Sequence, residues 1–314
     1  MEEIGIVVEV LGPVVFVCRL DGERIAVEKP YACSLLGKKY RQGRPVPGDR
    51  VSFVIHSETV QNRDYQGVIQ RVEPRTSLVE RLEPGGRRAK PLVANLDTLV
   101  VVASVGAPPL KPGLIDRYLV CAHHWQLDPL IVVNKWELAE EIDLLYVRLY
   151  EALGYRCIMA SAREGIELDT IKQTLEMRHS AFLGHSGVGK SSLLNELFPG
   201  ANLSTGEISL KAERGRHTTS ASRLLPFEAG GFVIDTPGVR EFGITGIPSQ
   251  ELSGCFPEFE SYAKLCRFQP CSHTHEPDCA VRAAVEADEL AAFRYQAYLK
   301  IYDEIREIEK TVYD

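Results

Sequence analysis

The sequence predicts three structural units in one chain: a small all-β barrel, a central α/β unit with a largely parallel sheet, and a mainly helical C-terminal unit. Three observations carry this. Up to residue 73, short β-branched runs alternate with turn dipeptides. From residue 97, apolar runs of four to eight residues alternate with helical periodicity. After residue 248 the strands stop, and cysteine and histidine crowd together.

In the first unit, residues 1–73, the runs are Ile4-Gly5-Ile6-Val7-Val8, Val14-Val15-Phe16-Val17 and Arg50-Val51-Ser52-Phe53-Val54. Gly-Pro, Asp-Gly and Pro-Gly-Asp turns separate them. An OB-fold fits this size, with another small β-barrel as the alternative. Its ten Lys/Arg balance its ten Asp/Glu, so the barrel exerts no bulk attraction on nucleic acid. Residues 74–93 contain Pro74, Pro84-Gly85-Gly86 and Arg87-Arg88-Ala89-Lys90, and read as an exposed linker.

The second unit, residues 94–248, has strand candidates at 98–103, 130–133, 156–159, 180–183 and 231–234. Helical stretches fall near 115–125, 139–153, 168–176 and 190–197. Continuously apolar strands alternating with helices imply a parallel sheet covered on both faces. In the third unit, residues 249–314, a charged helix candidate follows Val285. Its apolar face would be Leu290, Phe293, Tyr298, Ile301, Ile305 and Ile308, expected as packing surface.

Composition sets the bounds. Of 314 residues, 45% are hydrophobic and 25% charged, as in ordinary globular protein. The acidic start Met1-Glu2-Glu3 has no signal-peptide pattern, and the most apolar run, 99–105, is far short of a membrane span. A cytoplasmic monomer with no membrane contact is therefore expected. A net charge of −7 argues against coating nucleic acid by bulk attraction; any RNA contact must come from local patches.

The chemistry is concentrated at predicted strand ends. Gly184-His185-Ser186-Gly187-Val188-Gly189-Lys190-Ser191, with Ser192 after it, matches G-x-x-x-x-G-K-[ST] between a strand and a helix. Glycines let backbone N–H groups converge on phosphates, and the helix N-terminus adds a favourable dipole. Lys190 would reach the β- and γ-phosphates, and Ser191 would ligate Mg²⁺. Asn134-Lys135-Trp136-Glu137 follows the strand at 130–133. It resembles the N-K-x-D element of Ras-like GTPases, whose carboxylate accepts hydrogen bonds from guanine, with Glu137 one methylene longer than the usual aspartate. Ser161-Ala162 resembles the second base-contacting loop of the same enzymes. Asp235-Thr236-Pro237-Gly238 fits D-x-x-G: Asp235 would hold Mg²⁺ through water, and the Gly238 N–H would sense the γ-phosphate. Gly215-Arg216-His217-Thr218-Thr219 lies where the first switch belongs; either threonine suits Mg²⁺, and the family pattern favours Thr219. In Ras-like chains the base-binding elements come last; here they precede Gly184, so the order is a circular permutation. The site needs only that each loop leave the carboxyl edge of the sheet.

Eight cysteines in a chain of this size are not a disulfide scaffold. Cys18, Cys33, Cys121 and Cys157 are scattered among apolar residues and read as buried thiols. Cys266-x₄-Cys271-x-His273-x₅-Cys279 instead places three thiols and one imidazole within 14 residues. That set suits one tetrahedral zinc in a closed, structural site. His275 is a second candidate for the imidazole, and Cys255 for a thiolate.

Permuted GTPase motifs, a leading barrel and the terminal Cys/His segment together resemble the RsgA (YjeQ) family of bacterial small-ribosomal-subunit biogenesis GTPases. The resemblance implies GTP hydrolysis to GDP and phosphate, stimulated by the 30S subunit late in its maturation, and 16S rRNA contact through the OB and zinc units. Val239 stands where Ras-like enzymes carry the water-orienting glutamine, so intrinsic hydrolysis should be slow, with His217 the candidate to orient the water. The alternatives are a nucleotide-retaining RNA-binding scaffold, or a permuted GTPase or ATPase of another ribosome-assembly step.

Overall fold

The computed structural model describes residues 2–313 apart from 23, 27–28, 36–43, 57–64, 83–88, 204–221 and 236–246. In the first unit β1 (Glu2–Leu11) turns at Gly12-Pro13 into β2 (Val14–Asp21), which β3 (Arg24–Ile25) extends. β4 (Tyr31–Leu35), β5 (Arg50–Ile55) and β6 (Gly67–Val72) complete the sheet. The order β1-β5-β6-β4-β2 closes through β1–β2 pairing into five strands, antiparallel except between β4 and β6. This is the closed barrel expected of an OB-fold, and closure leaves those strands no open edge. The side chains of Val7, Val15, Val17, Cys33, Val51, Phe53, Ile69 and Val72 fill its interior. Burial there pushes the Cys33 thiol up to about 12, so it is an inert core thiol.

Residues 74–93 are more than a linker. β7 (Leu78–Leu82) and β8 (Ala89–Ala94) form an antiparallel hairpin. Val79 and Val93 are fully buried in one core with Ile6 and Val8 of the barrel and Leu96 and Leu99 of the next unit. The Pro-Gly-Gly sequence makes the stretch look like a solvated connection, yet its flanks alternate and their valines are covered. At the junction, the Asn95 side chain accepts from the Thr76 N–H at 2.9 Å and donates to the Gly48 carbonyl at 2.9 Å. Gly48 has φ +89°, and a Cβ there would lie 2.1 Å from the Ala94 carbonyl oxygen, so only glycine fits.

The central sheet contains β9 (Thr98–Ser104), β10 (Asp128–Asn134), β11 (Arg156–Met159), β12 (His179–Leu183), β13 (Arg223–Pro226) and β14 (Phe232–Asp235). Its order is β11-β10-β9-β12-β14-β13, parallel throughout except β13. The alternation that gives these strands continuous apolar runs is visible in β9. Leu99, Val101 and Ala103 face α1 (Pro112–His124) and α2 (Glu141–Ala152). Val100 and Val102 face α3 (Leu168–Leu175) and α4 (Lys190–Leu197). Both faces are covered, as a parallel sheet requires. Because five strands run the same way, β9, β10, β11, β12 and β14 all deliver their C-terminal residues to one edge.

The C-terminal unit contains α5 (Glu260–Ala263), α6 (Ala280–Glu286) and α7 (Ala292–Tyr313). Leu290, Tyr298, Ile301 and Ile305 are buried in its own core, while Phe293 packs on the core of the central unit. The expected apolar face is therefore packing surface. The unit is fastened to α1 by charge as well. Arg294, fully buried, donates to Asp116 at 2.6 Å and to Glu258 at 2.6 Å, and stands over the Phe256 ring at 4.6 Å. Tyr150 also donates to Asp116, at 2.8 Å. A second pair joins Arg117 to Glu304 at 2.8 Å. Burial raises the Asp116 carboxyl, and Arg294 and Tyr150 oppose that shift. Arg294→Met should therefore destabilise the protein by about 3–5 kcal/mol in urea unfolding, because two buried carboxylates lose their counter-charge. The triple variant with Asp116→Asn and Glu258→Gln should recover much of that loss. Among the described residues, no helix is long and apolar enough to cross a membrane.

Candidate nucleotide site and metal cluster

The loop after β12 occupies the middle of the carboxyl edge, between the ends of β9 and β14. A Cβ on Gly184 would lie 2.3 Å from the Val102 carbonyl oxygen, so the loop leaves the sheet in close contact with β9. Gly187 and Gly189 take φ of +84° and +89°, which turns the backbone into the start of α4. Lys190 opens that helix and folds its ammonium back over the loop, donating to the carbonyls of Gly184 at 2.6 Å and His185 at 3.2 Å. Ser191 and Ser192 follow in the first turn, half-buried. Asp235 ends β14 opposite Phe182 and is 8% exposed. Burial raises its carboxyl, and the charge of Lys190 opposes the shift; burial likewise lowers the Lys190 ammonium, and Asp235 opposes that. The two groups thus share one partly dry place at the end of the sheet.

Asn134 ties the edge together. It is buried at the end of β10, where its side chain donates to the Val188 carbonyl at 2.9 Å and accepts from the Ala162 N–H at 3.1 Å. A Cβ on Gly189 would lie 2.2 Å from Asn134 Nδ2. The phosphate-type loop and both base-type loops therefore meet on one amide. Lys135, at φ +62°, donates to the Gly187 carbonyl at 2.8 Å and to that of Ala107. Ser161 is fully buried and its hydroxyl accepts from the Glu164 N–H at 3.0 Å. Ala162 is half-buried, and Glu137 is exposed on a single 3-10 turn, Trp136–Leu138. His217, Thr218, Thr219, Thr236 and Gly238 lie outside the described residues.

Sequence reasoning missed the loop after β9. Ser104 donates to the Pro108 carbonyl at 2.9 Å, and Ala107 receives Lys135. Ser104, Pro108, Lys111, Ile115, Tyr118 and His185 are among the residues lining a small solvent-open cleft beside the phosphate-type loop. No motif marks this loop; the only signal was its position at the carboxyl end of a parallel strand.

In the C-terminal unit the ligand atoms of Cys266, Cys271, His273 and Cys279 all lie within 4.8 Å of one another. Tetrahedral zinc with ordinary bond lengths sets sulfur atoms about 3.8 Å apart and sulfur about 3.6 Å from nitrogen. Here Cys266 and Cys279 are 3.9 Å apart, and His273 Nδ1 lies 3.6 Å from Cys266 and 3.4 Å from Cys279. These distances match the edges of such a tetrahedron, and the sulfur–sulfur one is far too long for a disulfide. Burial pushes the Cys271 thiol up to about 12, a thiol that a cation would deprotonate. His275 hydrogen-bonds Thr274 and Cys255 is buried elsewhere in the core, so neither belongs to the set. The residues fit a metal ion.

A parallel sheet with a phosphate-type loop at its centre, flanked by base-type loops that come earlier in the chain, defines a circularly permuted P-loop GTPase. The RsgA GTPase family model matches residues 72–245. The chain is 39% identical over 310 residues to the small ribosomal subunit biogenesis GTPase RsgA of Gemmatimonas aurantiaca, covering 96% of this chain and 97% of the relative. The protein of that name from Chlorobaculum tepidum is 44% identical over 83% of this chain and 85% of its own length. The crystal structure of YjeQ from Thermotoga maritima superposes with TM-score 0.75 at 33% identity, covering 97% of this chain and 99% of that one. The structure of YloQ, a circularly permuted GTPase, gives 0.71 at 28% identity, over 98% and 96%. The chain belongs to the RsgA family of GTPases.

Proposed function

We propose that the chain hydrolyses GTP as a switch in late maturation of the small ribosomal subunit. Lys190 holds the β- and γ-phosphates, aided by backbone N–H groups of residues 184–192. Asn134, Lys135, Glu137, Ser161 and Ala162 hold guanine. Ser191 and Thr219 are the protein groups that would ligate Mg²⁺, with Asp235 behind its water, and the ion would neutralise phosphate charge when bound. Gly238 senses the γ-phosphate and His217 orients the attacking water. The barrel, residues 1–73, and the unit 249–314 contact 16S rRNA, with residues 94–248 carrying the nucleotide and 74–93 joining them. Cys266, Cys271, His273 and Cys279 hold one structural zinc.

The observation that carries this reading is the convergence of the phosphate-type loop and the two base-type loops on Asn134 at one edge of the sheet. The family's name for its members supplies the ribosomal subunit. GTP turnover with and without 30S subunits tests the whole. We expect stimulation of about tenfold or more with 30S, GTP outcompeting ATP, and loss of the stimulation in His217→Ala. Equal turnover with and without subunits would remove the ribosomal role, and equal competition by ATP would remove the guanine assignment.

A further inference from the structure

The loop between β9 and α1 touches both halves of the nucleotide site. The Val105 N–H donates to the Asn134 carbonyl at 3.2 Å. The Ala107 carbonyl accepts from Lys135, whose ammonium also donates to the Gly187 carbonyl at 2.8 Å. A Cβ on Gly106 would lie 3.1 Å from Leu138 Cδ1, so the loop rests on the turn that carries Glu137. A Cβ on Gly187 would lie 3.4 Å from Pro108 Cδ, which sets Pro108 against the phosphate-type loop. The loop runs into α1, which starts at Pro112 without a side-chain cap on its first turn. That end is pinned instead by a tyrosine of α2. The Tyr150 hydroxyl lies 3.0 Å from the Pro112 carbonyl and 2.8 Å from Asp116 Oδ1, and donates to both. Its ring is 1% exposed and sits edge-on to Tyr155 and Phe293, with centroids 6.3 and 5.9 Å away. Asp116 is held in turn by Arg294 at 2.6 Å.

We propose that Tyr150 is a positioning residue for nucleotide binding: its hydroxyl pins the first turn of α1, and with it the loop on which Lys135 and Gly187 rest. This rests on assigning Gly184–Ser191 and Asn134-Lys135 to a bound guanine nucleotide. The connection runs through hydrogen bonds and close contacts alone, from Tyr150 to Pro112, along residues 107–111, and across to Lys135 and Gly187. A loop already held in its bound conformation loses less freedom when a ligand arrives, so pinning it strengthens binding. The contacts reach the base-type turn and the middle of the phosphate-type loop, which serve GDP and GTP alike. Releasing the pin should therefore weaken both nucleotides together. A hydroxyl that only stabilised the packing of α1 on α2 would change melting temperature and leave affinity untouched.

The test is equilibrium binding of fluorescent GDP and of a non-hydrolysable GTP analogue to the full chain with Mg²⁺. Tyr150→Phe keeps the ring and removes the hydroxyl. It should weaken both nucleotides about fivefold, the worth of one ordinary hydrogen bond. Without nucleotide, amide exchange at residues 105–107, 110–111 and 113–116 should quicken in this variant, with exchange in β9 and β10 unchanged. Val147→Ala, a truncation of a buried residue on the same helix, is the control for stability. It should lower the melting temperature at least as far and keep both affinities within about twofold of wild type. Wild-type affinity in Tyr150→Phe, an equal loss of affinity in Val147→Ala, or weakened binding with unchanged exchange at residues 105–116 would overturn the proposal. Lys190→Ala separates the two readings. If it binds both nucleotides as wild type does, the nucleotide assignment fails and the proposal with it. Weak binding in Lys190→Ala beside normal binding in Tyr150→Phe removes the proposal alone.

Discussion

Lys190→Ala is expected to lower GTP turnover by on the order of a thousandfold, the upper range for deleting one electrostatic donor from a pre-organised site. The side chain has no substitute among the described residues of the loop. It opens α4 and places its ammonium over the Gly184 and His185 carbonyls, within the field of Asp235. Removing it deletes the one fixed positive charge of that loop and leaves Asp235 without the charge that opposes its burial. Both changes disfavour a bound triphosphate. Single-turnover hydrolysis and fluorescent-nucleotide binding check the prediction; a melting temperature within a few degrees of wild type shows that the fold is intact. Turnover within tenfold of wild type would exclude Lys190 from the chemistry.

The second large effect is expected from Cys271→Ala. The purified protein should hold about one zinc per chain, and the variant should hold almost none. Cys271 is only half-buried, so truncating its side chain removes little apolar contact; a large loss of stability would therefore report the metal. Zinc is worth roughly 10–16 kcal/mol to small zinc-dependent peptides, far more than the packing of one thiol. Residues 264–279 contain no helix or strand, only turns at 264–265 and 277–278, so their conformation depends on the ligands. The core below them, with Phe256, Phe259 and Tyr298, should keep part of its structure. Elemental analysis and thermal melting decide the matter: full metal content in the variant would dismiss Cys271 as a ligand.

Much of the site was legible because its chemistry needs rare combinations at strand ends. The phosphate-type loop, Asn134-Lys135, Ser161-Ala162 and Asp235 each follow an apolar run, and a parallel sheet delivers all such ends to one edge. The Cys/His spacing was legible for the same reason, since a metal requires particular atoms. The features that stayed hidden depend on partners distant in sequence. β13 is four residues ending in proline, and only its pairing with β14 makes it a strand. β7 and β8 look like a linker until the barrel and the central unit cover Val79 and Val93. Arg294 and Asp116 are 178 residues apart, and nothing local in either suggests a buried pair. The double duty of Asn134 was equally silent: its type suggested base recognition, while its hydrogen bonds connect loops.

That amide has a consequence for how the chain is made. The acceptor of its Nδ2, the Val188 carbonyl, lies 54 residues downstream. At ordinary translation speeds that interval lasts roughly 3–11 s. During it, α2, β11, α3 and β12 are still being made, and Asn134 lacks that partner. The half of the edge that carries the base-type loops is thus synthesised first and waits for residues 184–191 to emerge.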